Sequence, residues 1–238
     1  MASPMIEARG ISRRFGRRWA LVDVTLSIPR GSTTLIAGRN GSGKSTLLRV
    51  LATAIRPTLG SATIQGHDLV AAQQDVRGSV NLLGHAPYSY DPLSALQNLQ
   101  IAARFLEIES NEAVLRPLLA RVGLEGRRHD PVSSFSAGMR KRLSIARVLL
   151  RTLPVTLLDE PYANLDAAGF TLIDDLIRDL HQSGSTVLVA SHMVDRVAPI
   201  CDSAVLLEGG RVASIGTGSA VSERISSNPD KTPPRNEQ

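Results

Sequence analysis

Nine consecutive residues, Gly38-Arg39-Asn40-Gly41-Ser42-Gly43-Lys44-Ser45-Thr46, have the types and spacing to hold an anion. They fit the pattern G-x-x-x-x-G-K-[ST], with a further glycine at position 41. The glycines let backbone amides close around phosphate without Cβ clashes and with φ > 0 accessible. Lys44 would reach the β- and γ-phosphates of a bound nucleotide, and the Ser45 hydroxyl would ligate Mg²⁺. Only three lysines (44, 141 and 231) accompany 24 arginines, yet one falls where the pattern demands lysine. At average usage the four fixed positions arise by chance in roughly one chain in a hundred of this length. The stretch is a nucleotide site by this reasoning.

Two further groups have fitting chemistry. Asp159-Glu160 closes the apolar run Val155-Thr156-Leu157-Leu158. Carboxylates at the C-terminal end of a parallel strand sit in the crevice where ligands bind. There Asp159 can hold Mg²⁺ through water, and Glu160 can orient or activate an attacking water. His192 follows the β-branched run 186–190 and would stand at the same sheet edge, within reach of a γ-phosphate.

These residues need elements to position them. Thr33-Thr34-Leu35-Ile36-Ala37 predicts a strand entering the glycine turn. Leu47, Leu48, Leu51, Ala54 and Ile55 predict a helix leaving it and stopping at Pro57. A helix N-terminus adds oriented N–H groups and the positive end of a dipole. The acidic strand is expected directly beside the phosphate-loop strand. Residues 6–11 and 21–28 predict strands at a sheet edge, with Val22, Val24, Leu26 and Ile28 on one face. Residues 59–68 predict a strand and tight turn, and residues 79–84 another short strand. Helical spacing runs from Leu96 to Leu106, from Val114 to Val122 with Pro117 inside it, and on from Ser136. A helix over Ile173–Leu180 closes at Gly184, and residues 204–207 and 211–215 predict a hairpin through Gly209-Gly210.

Composition narrows the class. A net charge of +5, 3% aromatic residues and arginines spread along the chain do not make a nucleic-acid footprint. The single cysteine, Cys201, cannot form an internal disulfide. No apolar h-region opens the chain and no apolar run approaches the length of a bilayer span, so neither a signal peptide nor a membrane helix is expected.

Phe135-Ser136-Ala137-Gly138-Met139, followed by Arg140-Lys141-Arg142-Leu143, resembles the signature motif of ATP-binding cassette (ABC) ATPases. The usual form is Leu-Ser-Gly-Gly-Gln. Ser136 and Gly138 match it, while Phe135, Ala137 and Met139 depart. The family order is matched from Phe15, the aromatic for adenine stacking, through the phosphate loop, a Q-loop position carrying His85, the signature and the acidic strand. Asn164-Leu165-Asp166 and the switch residue His192 complete it.

The resemblance implies an α/β P-loop NTPase of the ABC type. Its core is a mixed sheet with an antiparallel β subdomain and an inserted helical subdomain near 88–152. Residues 1–218 would form the ATPase domain and 219–238 a disordered tail. ATP and Mg²⁺ would be bound, with Ser45, Asp159 and His85 around the metal. Ser136 and Gly138 would face ATP held by a second ATPase domain, in a homodimer or pseudo-dimer. Separate integral-membrane permease subunits would hold the chain at the cytoplasmic face of the cell membrane, docked near the Q-loop and the helical subdomain. The Gly-His Q-loop and the Ser-Ala-Gly signature are similar to the ATP-binding subunits of haem exporters, which implies export of haem or another small hydrophobic cargo. The alternative within the family is a non-transport ATPase that remodels a ribosome or a nucleic-acid complex.

Overall fold

A computed structural model describes residues 3–84 and 88–227, apart from the side chain of Ser226. Ile6–Phe15 (β1) and Arg18–Ile28 (β2) pair antiparallel. The alternation expected in β2 holds at Val24, Leu26 and Ile28, but Leu21 instead of Val22 is buried. Asp23 adopts φ 53° where the register with β1 shifts, and such a bulge flips the faces of the residues before it. Thr33–Ala37 (β3) is buried throughout and leads through the glycine turn into Lys44–Leu51 (α1). That helix stops earlier than Pro57, because Thr53 turns left-handed (φ 56°) and the amides of Ala54 and Ile55 both return to Arg49 O.

Leu59–Ile64 (β4) is the expected strand, and beyond the turn His67–Asp68 (β5) pairs back on it as a short hairpin not expected from the sequence. β1 lies between β2 and β4 in the sheet order β2-β1-β4-β5, so it is interior rather than an edge strand. Gln73–Ser79 (α2), which had no periodic signal, precedes Val80–Leu83 (β6). Three helices then fill the middle of the chain: Ala95–Phe105 (α3), Glu112–Arg121 (α4, containing Pro117) and Ala137–Leu149 (α5). Ser94 and Gln97 close a reciprocal capping box on α3, which satisfies two otherwise orphan amides.

Val155–Asp159 (β7), Ala167–Gln182 (α6), Thr186–Ser191 (β8), Val194–Val197 (α7) and the hairpin Ser203–Glu208 (β9) and Arg211–Gly216 (β10) follow. The second sheet runs β10-β9-β3-β8-β7-β6, with β9, β3, β8, β7 and β6 parallel and β10 antiparallel. The acidic strand β7 is therefore not beside β3, because β8 lies between them.

The pleat of this sheet divides the core in two. Leu35, Ala37, Val187 and Val189 face α3, α4, α5 and α6, while Ile36, Leu188 and Ala190 face α1 and the antiparallel sheet. Both faces are covered, which is why β3, β7 and β8 are buried at every position.

The expected disordered tail begins as structure. Gly218–Ser226 form an eighth helix (α8), capped by Thr217, whose Oγ accepts from the Ala220 amide. Val221 buries fully against the body of the domain. Two apolar residues, Val221 and the partly buried Ile225, and one cap anchor it, and a composition of serines and charges concealed them. Residues 228–238 lie outside the described residues.

Candidate functional site

The phosphate loop is built by what glycine permits. Gly38, Gly41 and Gly43 have φ of 146°, 81° and 107°. A Cβ on Gly38 would lie 2.4 Å from Leu207 O, and one on Gly43 would lie 2.6 Å from Ala20 O. Neither backbone oxygen can move aside cheaply. The loop is thus pressed between the β2 segment and the β9 turn, and Gly210 N donates to Ser42 O. Arg39, Asn40 and Gly41 form its exposed rim, while Lys44 is buried. Thr46 continues α1.

Lys44 Nζ donates to Gly38 O at 2.7 Å and to Arg39 O at 3.3 Å, and it stands 3.6 Å from Glu160 Oε1. Ser45 Oγ donates to Asp159 Oδ1 at 2.7 Å. Asp159 is 1% exposed, yet its Oδ2 has no hydrogen-bond partner among the described residues, nor does the buried Ser42 Oγ. An anionic oxygen left bare in a buried site costs stability unless a cation or donor arrives. A hydroxyl and a carboxylate oxygen, hard ligands side by side, fit Mg²⁺.

Glu160 follows β7 with φ 45°, a left-handed backbone that costs a glutamate energy. Its amide is held by Ala190 O at 2.9 Å and its carbonyl accepts from Lys141 Nζ at 3.2 Å. Glu160 Oε2 lies 2.9 Å from His192 Nδ1, and an ionised carboxylate there requires the imidazole to donate. The structure thus brings Lys44, Ser45, Asp159, Glu160 and His192 together at the ends of β3, β7 and β8.

The remaining expected residues are placed differently. Phe15 is exposed, as is Trp19 across the β1–β2 turn, so Phe15 is not taken up by the core. The Arg13 guanidinium stands 4.6 Å from the Phe15 centroid and that of Arg14 stands 5.5 Å from the Trp19 centroid. Ser136 caps α5 by accepting from Met139 N at 3.2 Å, and its side chain is exposed. No hydrogen bond or ion pair among the described residues joins Ser136 or Gly138 to the phosphate loop. Gly138 has a reason to be glycine inside its own chain, since a Cβ would lie 2.8 Å from Asn164 O. Asn164 itself is left-handed (φ 63°). His85 lies outside the described residues.

Lys141 was not anticipated as part of this site. It turns inward on α5 with Ser144, Ile145 and Val148, and it is 7% exposed. Burial pushes its ammonium down to about 8, against the opposing pull of the Asp159 and Glu160 carboxylates. Its one sequence signal was the choice of lysine in a chain that otherwise uses arginine.

Known proteins agree with this geometry. The profile of the ABC transporter family matches residues 21–163. The ABC transporter ATP-binding protein NatA of Bacillus subtilis is 33% identical over 87% of this chain and 87% of its own length. The daunorubicin resistance ATP-binding protein DrrA3 of Streptomyces coeruleorubidus is 34% identical over 91% of this chain and 69% of its own. A dimeric ATP-binding cassette in a post-hydrolysis state, bound to ADP and Pi, superposes with a TM-score of 0.81 at 25% identity, covering 90% of this chain and 98% of that one.

Proposed function

The chain belongs to the ABC transporter family, as an ATPase domain of its ATP-binding subunits, and from that premise we propose that it powers a separate permease, as an exporter of a small hydrophobic cargo. The observation that carries the chemical part is the convergence of Lys44, Ser45, Asp159, Glu160 and His192 at one sheet edge. ATP phosphates would enter the glycine loop, and Lys44 would exchange the loop carbonyls for phosphate oxygens. Ser45 and Asp159 would hold Mg²⁺, which neutralises phosphate charge when bound. Glu160 would orient the attacking water, with His192 fixing its carboxylate and contacting the γ-phosphate. Phe15 would stack on adenine. A second copy, or a paralogous domain, would bring its exposed Ser136 to the nucleotide.

The partner side rests on a different surface. Tyr88, Tyr90, Ile101, Ala102, Phe105 and Arg147 line a groove of about 370 Å³ between α3 and α5. Phe105 is 82% exposed and Tyr88 69%. Apolar side chains left this open suit an apolar helix of the permease, at the helical subdomain where the family resemblance expects docking. No helix among the described residues is long and apolar enough to cross a membrane. The names of two relatives mention daunorubicin resistance (DrrA3) and lantibiotic transport (SrtF of Streptococcus pyogenes, 30% identical over 87% of this chain and 89% of its own length). Those support export of a small amphipathic or hydrophobic compound, and haem remains one such cargo. The test is to purify the tagged chain from detergent-solubilised membranes and identify what accompanies it. An integral-membrane subunit lost in Phe105→Asp supports the reading. Recovery only with ribosomes or nucleic acid overturns it.

A further inference from the structure

We infer that Tyr162, Asp174 and Arg196 form a positioning network that keeps the Glu160 loop and the His192 loop in register. The inference rests on the roles given above to Glu160 and His192. The two loops leave neighbouring parallel strands, β7 and β8, and each continues into a residue that turns back toward α6. Tyr162 lies two positions after Glu160, and its hydroxyl donates to Asp174 Oδ1 at 2.7 Å. Arg196 lies four positions after His192, and its Nη2 donates to Asp174 Oδ2 at 2.5 Å. One carboxylate on a rigid helix thus spends one oxygen on each loop.

The aromatic packing around these bonds fixes the same geometry. Tyr162 is 3% exposed and meets Phe170 edge to face, with centroids 5.6 Å apart. The Arg196 guanidinium lies 5.4 Å from the Tyr162 centroid and 4.8 Å from that of Phe170. Burial and the Asp174 carboxylate push the Tyr162 phenol up, which keeps its hydroxyl a donor throughout the working pH range.

Such bracing has a purpose at this site. Glu160 holds an unfavourable backbone (φ 45°), and a strained residue persists only where its surroundings over-determine it. His192 is more than half exposed, so its 2.9 Å pairing with Glu160 needs support from behind. The network supplies that support through Asp174, with no hydrogen bond to the phosphate loop among the described residues, so its residues are positioning residues.

The test uses the full chain in single-turnover hydrolysis of radiolabelled Mg-ATP, with ATP affinity and melting temperature measured alongside. Tyr162→Phe removes only the hydroxyl, and Asp174→Asn keeps shape while weakening the Arg196 bond. Each should slow hydrolysis about tenfold, the worth of one hydrogen bond to a charged group. ATP affinity should stay within about twofold. In a His192→Ala background, Tyr162→Phe should cost clearly less than it does in wild type, because the Glu160–His192 pair is gone and only the Glu160 backbone is left to brace. Rates within about twofold of wild type in both single variants would overturn the inference, as would a loss that multiplies fully with that of His192→Ala. A Glu160→Gln variant that hydrolyses normally would instead overturn the roles on which the inference rests.

Discussion

Replacing Gly43 by alanine should damage both the fold and the nucleotide site, by an amount the geometry sets. Alanine at φ 107° is strained, at about 1–3 kcal/mol. The new Cβ would lie 2.6 Å from Ala20 O and 2.9 Å from Leu21 Cδ2, and forcing that overlap apart costs about 1–3 kcal/mol more. A total near 4 kcal/mol corresponds to a fall in Tm of roughly 8–16 °C for a domain of this size. Gly209→Ala is the control, since its φ is 55° and nothing lies within 4 Å of its Cβ. It should cost only the left-handed strain, about 1 kcal/mol or roughly 3 °C. Thermal unfolding followed by circular dichroism, without nucleotide and with Mg-ATP, separates the two effects. Gly43→Ala should also lose the upward shift that ligand binding gives the wild type. If Gly43→Ala melts within about 3 °C of Gly209→Ala and keeps the Mg-ATP shift, the loop is not pressed against the β2 segment as argued.

Lys44→Ala should abolish detectable ATP binding by equilibrium dialysis while leaving the chain folded, because the site keeps its amides but loses its buried cation. ATP-Mg²⁺ should convert a Glu160→Gln background from monomer to dimer in light scattering. Ala137→Asp should abolish that conversion, since the exposed carboxylate would face the partner's phosphates yet suits a helix N-terminus in its own chain. That substitution is a cleaner test than Gly138→Asp, which would collide with Asn164 O. The stability of the nucleotide-free chain should rise relative to Lys141→Met as pH climbs from about 8 toward the ordinary lysine value of 10.5. In that window the unfolded chain binds more protons than the folded one, so folding gains as pH rises. Below pH 8 both states are charged and the burial penalty is fully present. Urea unfolding of both proteins at pH 7.5 and 9.5 reads the difference, and a constant gap would refute the burial argument.

Much of this site was legible because its elements are short-range. The phosphate loop, its strand and its helix are contiguous, and steric demands on Gly38 and Gly43 leave one residue type. Asp159, Glu160 and His192 were legible because parallel strands buried on both faces read as short, mostly apolar runs that end at one sheet edge. Strand order was harder. Nothing in β7 or β8 says which of them neighbours β3, and the acidic strand proved to be one place further away. Lys141 and Arg196 were hidden for a related reason. A charged side chain among charged neighbours looks solvated until the helix face it occupies is known. α8 shows the converse, where a polar segment folds because Thr217 caps it and Val221 finds a place to bury.

The central claim is that this sheet edge binds ATP through Lys44 and hydrolyses it through Glu160. Steady-state hydrolysis and ATP affinity, measured side by side on wild type and Glu160→Gln, test it most directly. The geometry predicts that Glu160→Gln binds Mg-ATP within about threefold of wild type and turns over at least about a hundredfold more slowly, the contribution of a positioned general base. Undiminished hydrolysis by Glu160→Gln would contradict it.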